Sequence, residues 1–391
     1  MKLLLINPPD NNVIDGEMDA PYNLLMLASV IEKCGGAEVE IAEWSKAMPT
    51  DIPFADVYGL SITTPTYNSA KLIASKIRQS YPTSKIIAGG AHAQFMPIEF
   101  ADTTFRGNCL DNLLPLLFEH GYHYCSGNIS NTFPLPYDKI TVEKYIGKRY
   151  IPGCSRTMSV ISSIGCNAKC AFCYNTYFGN KLQSYSVDEL GQIIKYLVNT
   201  YHTDGINFLD DNFLLFQKLW QNMEVPWRAS GSIAVLKTIN PIELVKAGCK
   251  MIYIGIESGA DILLQAMNKK QTSADILFVL DKLQTAGIQC RGSFIVGFPG
   301  ETWSTINATA QIIERFDNVT IHLFVLYPGS DVFFNPAKYG IIWASSNYDD
   351  YRSHPDKFGK FVPTFETESL NSETLLAMHS YLESIKPGGS L

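Results

Sequence analysis

Short apolar runs alternate with amphipathic stretches through the first third of the chain, a pattern that predicts alternating strands and helices. Lys2–Asn7 contains Leu3-Leu4-Leu5-Ile6 and reads as a short buried strand, which Pro8-Pro9 stops. Leu24–Lys33 sets Leu25, Leu27, Ala28 and Ile31 along one side of a helix that Gly35-Gly36 closes. Glu38–Ala42 alternates like a strand, Val57–Thr63 is another, and Ser69–Tyr81 is a helix ended by Pro82. Lys85–Ala88 is a fourth strand running into Gly89-Gly90. This order predicts a parallel sheet covered by helices on both faces. Ligands of such sheets bind beyond the carboxyl ends of the strands, where Asn7–Pro9, Thr63–Tyr67 and Gly89–His92 gather.

Residues 126–157 break the pattern and read as a linker, with Phe133-Pro134-Leu135-Pro136 extended. A second series of strands follows at Met158–Ile164, Gly205–Leu209, Arg228–Ile233, Met251–Ile256, Cys290–Val296 and Val319–Leu326. Helices near 188–201, 241–247, 274–286 and 303–316 separate most of them, while the 213–222 crossover has a weaker pattern. Six such strands predict a partial (β/α) barrel, since eight units take about 250 residues. The chain divides into an α/β domain at 1–125, a linker at 126–157, a barrel at 158–335, and a mixed polar segment at 336–391.

Composition narrows the class. Apolar content is ordinary at 46% and the charged fraction is 18%, which excludes a disordered chain. Acidic residues outnumber basic ones, 38 to 31, and no long Lys/Arg run occurs, so a nucleic-acid or membrane-surface partner is not expected. The early run Leu3–Ile6 is too short for a signal or a membrane span, which points to the cytoplasm. Nine cysteines, an odd number, argue for thiolate chemistry rather than a disulfide framework.

Cys166, Cys170 and Cys173 lie within eight residues in a loop after the first barrel strand. Soft thiolates select zinc or an iron–sulfur centre, and three of them leave one coordination position open for a substrate. A zinc site completed by Cys154, twelve positions upstream, is the alternative, and three incidental core thiols a further one. Cys34, Cys109, Cys125, Cys249 and Cys290 are scattered and read as small core hydrophobes. The C-x3-C-x2-C spacing, with Phe172 before the last cysteine, resembles the radical S-adenosylmethionine (SAM) superfamily, whose [4Fe–4S] cluster this motif holds.

Further strand ends extend the resemblance across about residues 158–330. Asp210-Asp211 ends the second barrel strand, and two adjacent anions there call for a cationic partner. The segment looks like the family motif that holds the amino group of SAM; an Asp helix cap is the plainer reading of one of the pair. Gly255-Ile256-Glu257-Ser258-Gly259 resembles the motif whose Glu contacts the SAM ribose. Arg228 and Ser230 are candidates for the SAM carboxylate, although strand arginines also pair structurally. Gly297-Phe298-Pro299-Gly300-Glu301-Thr302 looks like the family segment near the adenine, or a tight turn with a capping carboxylate, and Tyr327-Pro328-Gly329-Ser330 matches another family turn.

The first domain is similar to the cobalamin-binding domain that precedes the barrel in cobalamin-dependent members. The resemblance rests on Leu5-Ile6-Asn7-Pro8-Pro9, Asn23–Ile31, Ser61-Ile62-Thr63-Thr64 and Ile87-Ala88-Gly89-Gly90-Ala91-His92. It implies that Asn7, Ser61, Thr63, Thr64, Gly89 and Gly90 line the slot for the nucleotide tail. His92 reads either as a contact to the corrin or as a histidine on a surface turn. Departures stand beside this: Tyr22-Asn23 where the family tends to have Leu-Gly, and Arg106-Gly107-Asn108-Cys109-Leu110-Asp111-Asn112 where it has a Gly-Glu-Gly-Glu-like run.

The resemblance implies reductive cleavage of SAM at the cluster to a 5′-deoxyadenosyl radical, which takes hydrogen from a substrate carbon. With cobalamin it implies methyl transfer. The alternatives are a superfamily member that uses no cobalamin, its first domain serving packing or docking, and a noncatalytic cluster or cobalamin sensor. The implied partners are a small-molecule or peptide substrate and an electron donor such as flavodoxin or ferredoxin. Tyr174, Tyr177, Phe178 and Tyr327 are candidates for the barrel mouth.

Overall fold

The computed structural model describes residues 1–10, 15, 17–35, 37–44, 48–107, 128–174 and 182–386. Cys109, Cys125, Tyr177, Phe178 and the side chain of Cys34 lie outside the described residues, as do Gly36 and much of the 106–112 run. The chain divides into two compact units, the first made of Met1–Lys148 with Gln183–Tyr185 and Asn347–Asp349, the second of the remainder.

In the first unit, β1 (Lys2–Ile6), α1 (Tyr22–Gly35), β2 (Glu38–Ala42), β3 (Val57–Ser61), α2 (Tyr67–Ser80), β4 (Lys85–Gly89) and β5 (Thr103–Thr104) build a parallel sheet of order β2-β1-β3-β4-β5. Strand β1 is apolar throughout because both of its faces are covered. Leu3 and Leu5 pack with Leu24, Ala28 and Ile31 of α1, while Leu4 and Ile6 pack with Ala70, Ile73 and Ile77 of α2. The strand order reverses between β1 and β3, the place where doubly wound sheets bind ligands. Residues 129–145, expected as part of a linker, instead form three short 3-10 turns with Ile129, Tyr137, Val142 and Tyr145 buried. Lys33 and Ser29 of α1 donate to the carbonyls of Phe133 and Pro134, which ties the Pro-rich stretch to this unit.

The second unit holds a six-stranded parallel sheet made of β6 (Thr157–Val160), β7 (Gly205–Phe208), β8 (Trp227–Gly231), β9 (Cys249–Glu257), β10 (Gln289–Val296) and β11 (Asn318–Leu323), side by side in chain order. Helices α3 (Val187–Tyr201), α4 (Pro241–Lys246), α5 (Asp261–Ala266), α6 (Ser273–Thr285) and α7 (Trp303–Ile313) connect them. Together these make the expected partial barrel. Helix starts are set by local chemistry: Ser186 with Glu189, Thr272 with Asp275 and Thr302 with Thr305 each form a reciprocal cap. The 213–222 crossover resolves into a 3-10 turn and the single helical turn Gln217–Trp220.

One face of the sheet is apolar, with Ile252, Ile254 and Ile256 of β9 fully buried. The other face carries polar side chains that bond across strands. Asn207 donates to Ser159 (2.9 Å), Arg228 to Asn207 (2.6 Å), and Tyr253 meets His322 (3.4 Å). Complete barrels fill this space with bulky aliphatics. The segment after residue 336, unread from sequence, contains a hairpin of β12 (Ile341–Ala344) and β13 (Phe365–Thr367) and helix α8 (Ser372–Ile385). Helix α8 buries Leu375, Met378 and Leu382, and its His379 donates to the carbonyl of Ile321, so it covers the edge strand β11.

Candidate functional site

The three-cysteine loop begins where Gly165, at φ +94°, turns the chain after the first barrel strand. Cys166, Cys170 and Cys173 are partly exposed and none is in a disulfide. Their loop is clasped from two sides. On one, the Ala171 amide donates to Met267 (2.9 Å) and the Asn268 side chain donates to the Lys169 carbonyl (2.6 Å). On the other, the Val332 amide donates to the Ala171 carbonyl (3.2 Å). Among the described residues no three His, Cys, Asp or Glu side chains converge on a single-ion site. A cluster takes thiolates on separate irons, and three cysteines on one loop offer it that donor set. The zinc alternative completed by Cys154 is overturned. Cys154 precedes β6, at the opposite end of a strand roughly 13 Å long, and its thiol points to the Asp204 carbonyl. Cys249 and Cys290 are buried, as expected of core thiols.

Beside the loop sits a buried ion pair. Glu257 ends β9 in a left-handed conformation (φ +66°) and meets Lys269 at 2.9 Å, the two side chains only 9% and 11% exposed. Gly255 leaves room for this pair, because a Cβ would lie 2.6 Å from the Glu257 carboxylate oxygen and push it aside. The Lys269 ammonium lies 5.8 Å from the centre of the Phe172 ring. Burial pushes the Cys170 thiol up, against the pull of Lys269. Burial also works against the Lys269 charge, but Glu257 and Cys170 outweigh it and hold the ammonium above its ordinary value.

The two aspartates after β7 separate in role. Asp210 is buried and accepts from the Ser162 amide (3.1 Å) and from the hydroxyls of Ser162 and Ser163, so it fastens the start of the cluster loop. Burial raises it to about 6 despite those bonds. Asp211 is exposed. Arg228 lies low on β8, with Nε on Asn207 and Nη1 on the Tyr150 carbonyl (3.1 Å), while Ser230 stands two residues nearer the carboxyl end. After β10, Gly297 (φ +92°) and Gly300 (φ +95°) form the tight turn that sequence reasoning placed there. Glu301 closes it by accepting from the Gly297 amide (2.7 Å) and the Thr305 hydroxyl (3.1 Å).

Glu301 is 2% exposed, and burial raises it from 4.5 to about 7. A raised carboxyl favours the protonated fold, so its contribution is full below about 4.5 and is lost as pH climbs through 7. Glu301→Gln is therefore expected to remove a fall of roughly 3 kcal/mol between those limits. Urea unfolding of cluster-free protein at pH 5 and pH 8 measures it; an unchanged slope contradicts the assignment.

A cavity of about 720 Å³ adjoins the loop, lined by Asn167, Cys170, Ser232, Asn268, Lys269 and others. That is within the usual range for small-molecule sites.

In the first unit, a cavity of about 510 Å³ opens at the strand-order reversal, lined by Asn7, Asn23, Ser61, Thr63, Glu43 and Tyr145 among others. Asn23 bridges β1 and β3, donating to Ser61 (2.7 Å) and to Asn7 (3.1 Å). Glu43 accepts from Tyr145 and Thr141, each at 2.9 Å, and Asp15 meets Lys148 at 2.9 Å, so acidic groups of this wall have partners. Thr64, Gly89, Gly90 and His92 are not brought to the cavity's lining. His92 is not on a surface turn: it is 1% exposed, its Nδ1 bonds Thr64 (3.1 Å), and its ring sits against Tyr67 and Tyr348. Its Nε2 is buried without a hydrogen-bond partner, and burial pushes it down to about 4. Gly90 (φ +94°) permits this loop, since a Cβ would lie 2.5 Å from the Ile62 amide.

Residues 160–313, which run from the cysteine loop through Glu257 to α7, match the radical SAM superfamily. This stretch is the radical SAM part of the chain. Radical SAM proteins hold a [4Fe–4S] cluster and SAM, and this one is a radical SAM enzyme. It is 24% identical, over 81% of its length and 78% of the relative's, to an uncharacterised methyltransferase of Pyrococcus horikoshii. It is 23% identical, over 73% of its length and 69% of the relative's, to bacteriochlorophyllide d C-8(2)-methyltransferase of Chlorobaculum tepidum. Its fold matches the radical SAM methyltransferase TsrM of Kitasatospora setae, solved with cobalamin and a [4Fe–4S] cluster bound. That match has TM-score 0.67 and 15% identity, covering 97% of this chain and 90% of that one.

Lys269 is the residue at this radical SAM site that sequence reasoning missed. Asn268-Lys269-Lys270 follows helix α5 and reads as an exposed helix end. The available signal was Asn268, which takes the left-handed conformation (φ +55°) that reverses a helix and turns the next side chain inward. No helix among the described residues is long and apolar enough to cross a membrane.

Proposed function

We propose that the protein is a cobalamin-dependent radical SAM enzyme that transfers a methyl group to a substrate carbon. The observation that carries this reading is the cavity at the β1/β3 reversal, in a chain that also bears the cysteine loop. Its amide and hydroxyl donors, Asn7, Asn23, Ser61 and Thr63, suit the polar nucleotide tail of cobalamin. Cys166, Cys170 and Cys173 hold the cluster. Asp211 takes the SAM amino group, since Asp210 is spent on Ser162 and Ser163. Glu257 faces the ribose, Phe172 and Ser230 flank the cofactor, and Gly297 and Gly300 let the backbone approach the adenine. Arg228 remains with Asn207 and Tyr150, and serves the site by shaping the polar face of the sheet. When bound, the cluster supplies the electron that splits SAM, and cobalamin carries the methyl group.

A superfamily member without cobalamin is the second reading. The observation favouring it is Asn23, whose side chain spans the reversal where the family tends to have glycine. The test supplies reconstituted protein with SAM, cobalamin and a chemical reductant. Formation of both 5′-deoxyadenosine and S-adenosylhomocysteine is expected. 5′-Deoxyadenosine alone favours the second reading, and neither product overturns both.

A further inference from the structure

We propose that Lys269 is a positioning residue whose buried ammonium, tethered by Glu257, makes the cluster easier to reduce. This rests on the reading that Cys166, Cys170 and Cys173 hold the cluster. The backbone of Lys269 is fixed: its amide donates to the Leu264 carbonyl (2.9 Å) at the end of α5, and the two residues before it clasp the cysteine loop. Its side chain is 11% exposed, whereas that of Lys270 is exposed, so only one of this lysine pair turns inward. Its ammonium faces the Phe172 ring, in the short span between Cys170 and Cys173, and bonds Glu257.

Reduction adds one negative charge to a centre already ligated by three thiolates, and forms or breaks no bond. The electron comes from a low-potential one-electron carrier of the flavodoxin or ferredoxin class, which is oxidised by one electron. A fixed cation nearby stabilises the reduced form more than the oxidised form, and cluster potentials respond to local charge. Glu257 acts in the opposite direction, but Lys269 lines the cavity together with Cys170 and Glu257 does not. The pair therefore leaves a net positive influence on the thiolate side while holding the lysine in one place.

The test is an EPR-monitored redox titration of reconstituted full-length protein without SAM, using dithionite and mediators. Lys269→Met is expected to shift the reduced-to-oxidised ratio about tenfold toward oxidised, a midpoint about 59 mV more negative. Lys269→Arg, which keeps the charge, is expected to stay within about threefold of wild type, and Glu257→Gln to shift the opposite way from Lys269→Met. A Met midpoint equal to wild type overturns the proposal. So do Met and Gln shifts of the same sign, because loosened packing would move both together. If Lys269→Met does not fold, the double variant Lys269→Met/Glu257→Gln leaves no buried charge unpaired. It is expected to lie more negative than wild type, and an equal or higher midpoint overturns the proposal. Wild-type protein that takes up no cluster defeats the cluster assignment itself, a failure distinct from a cluster indifferent to Lys269.

Discussion

Cys166→Ala is expected to leave a folded protein that forms no 5′-deoxyadenosine above background. Cys166 is partly exposed in a loop, so the loss is expected to fall on the cluster rather than on folding. Three thiolates are the minimum for a cluster that keeps one position open, so two leave it a ligand short. Cys154→Ser supplies the contrast. Cys154 is at the far end of β6, bonded to the Asp204 carbonyl, and its replacement is expected to preserve iron content and 5′-deoxyadenosine formation. Product measured by liquid chromatography in the two variants decides the matter. Turnover in Cys166→Ala, or its loss in Cys154→Ser, would contradict the site.

Gly259→Ala is expected to be the most destabilising methyl addition in the second unit. Gly259 follows Glu257 by two residues, where the chain leaves β9 and crosses helix α7. A Cβ there would lie 2.4 Å from the Ala308 carbonyl oxygen and 2.7 Å from the Thr309 Cα, both backbone atoms that no rotamer can move. The close approach also lets the Gly259 amide donate to the Thr309 hydroxyl at 2.9 Å. Overpacking costs about 1–3 kcal/mol where side chains can adjust, and here the upper end or more is expected. For a unit of this size that lowers the melting temperature by roughly 6–12 °C. Gly191→Ala is the control: it sits exposed within α3 with nothing near its Cβ position, and is expected to stabilise by about 0.5–1 kcal/mol. Equal melting temperatures for Gly259→Ala and wild type would contradict the packing described.

Local patterning carried most of the fold. The apolar runs at Lys2–Ile6, Val57–Ser61 and Lys85–Gly89 are buried on both faces, so their strands are legible without knowing their partners. The cysteine loop was legible for a related reason: its chemistry is written in one stretch of eight residues. What the sequence hid depends on distant contacts. His92 looks like a polar residue in a turn, and only the rings of Tyr67 and Tyr348 bury it. Asp210 and Asp211 are chemically identical neighbours, and Ser162 and Ser163, 48 and 47 positions before Asp210, separate them. Lys269 is set apart from Lys270 in the sequence only by following Asn268, and its partner Glu257 lies twelve positions away. Helix α8 follows a polar stretch, and its purpose emerges only when β11 is found to be an edge.

Metal content is the most direct test of the account. Protein made anaerobically with cobalamin supplied is expected to carry about four irons and one cobalt per chain. Full iron with no cobalt would contradict the cobalamin-dependent reading and leave a radical SAM enzyme whose first unit serves another purpose.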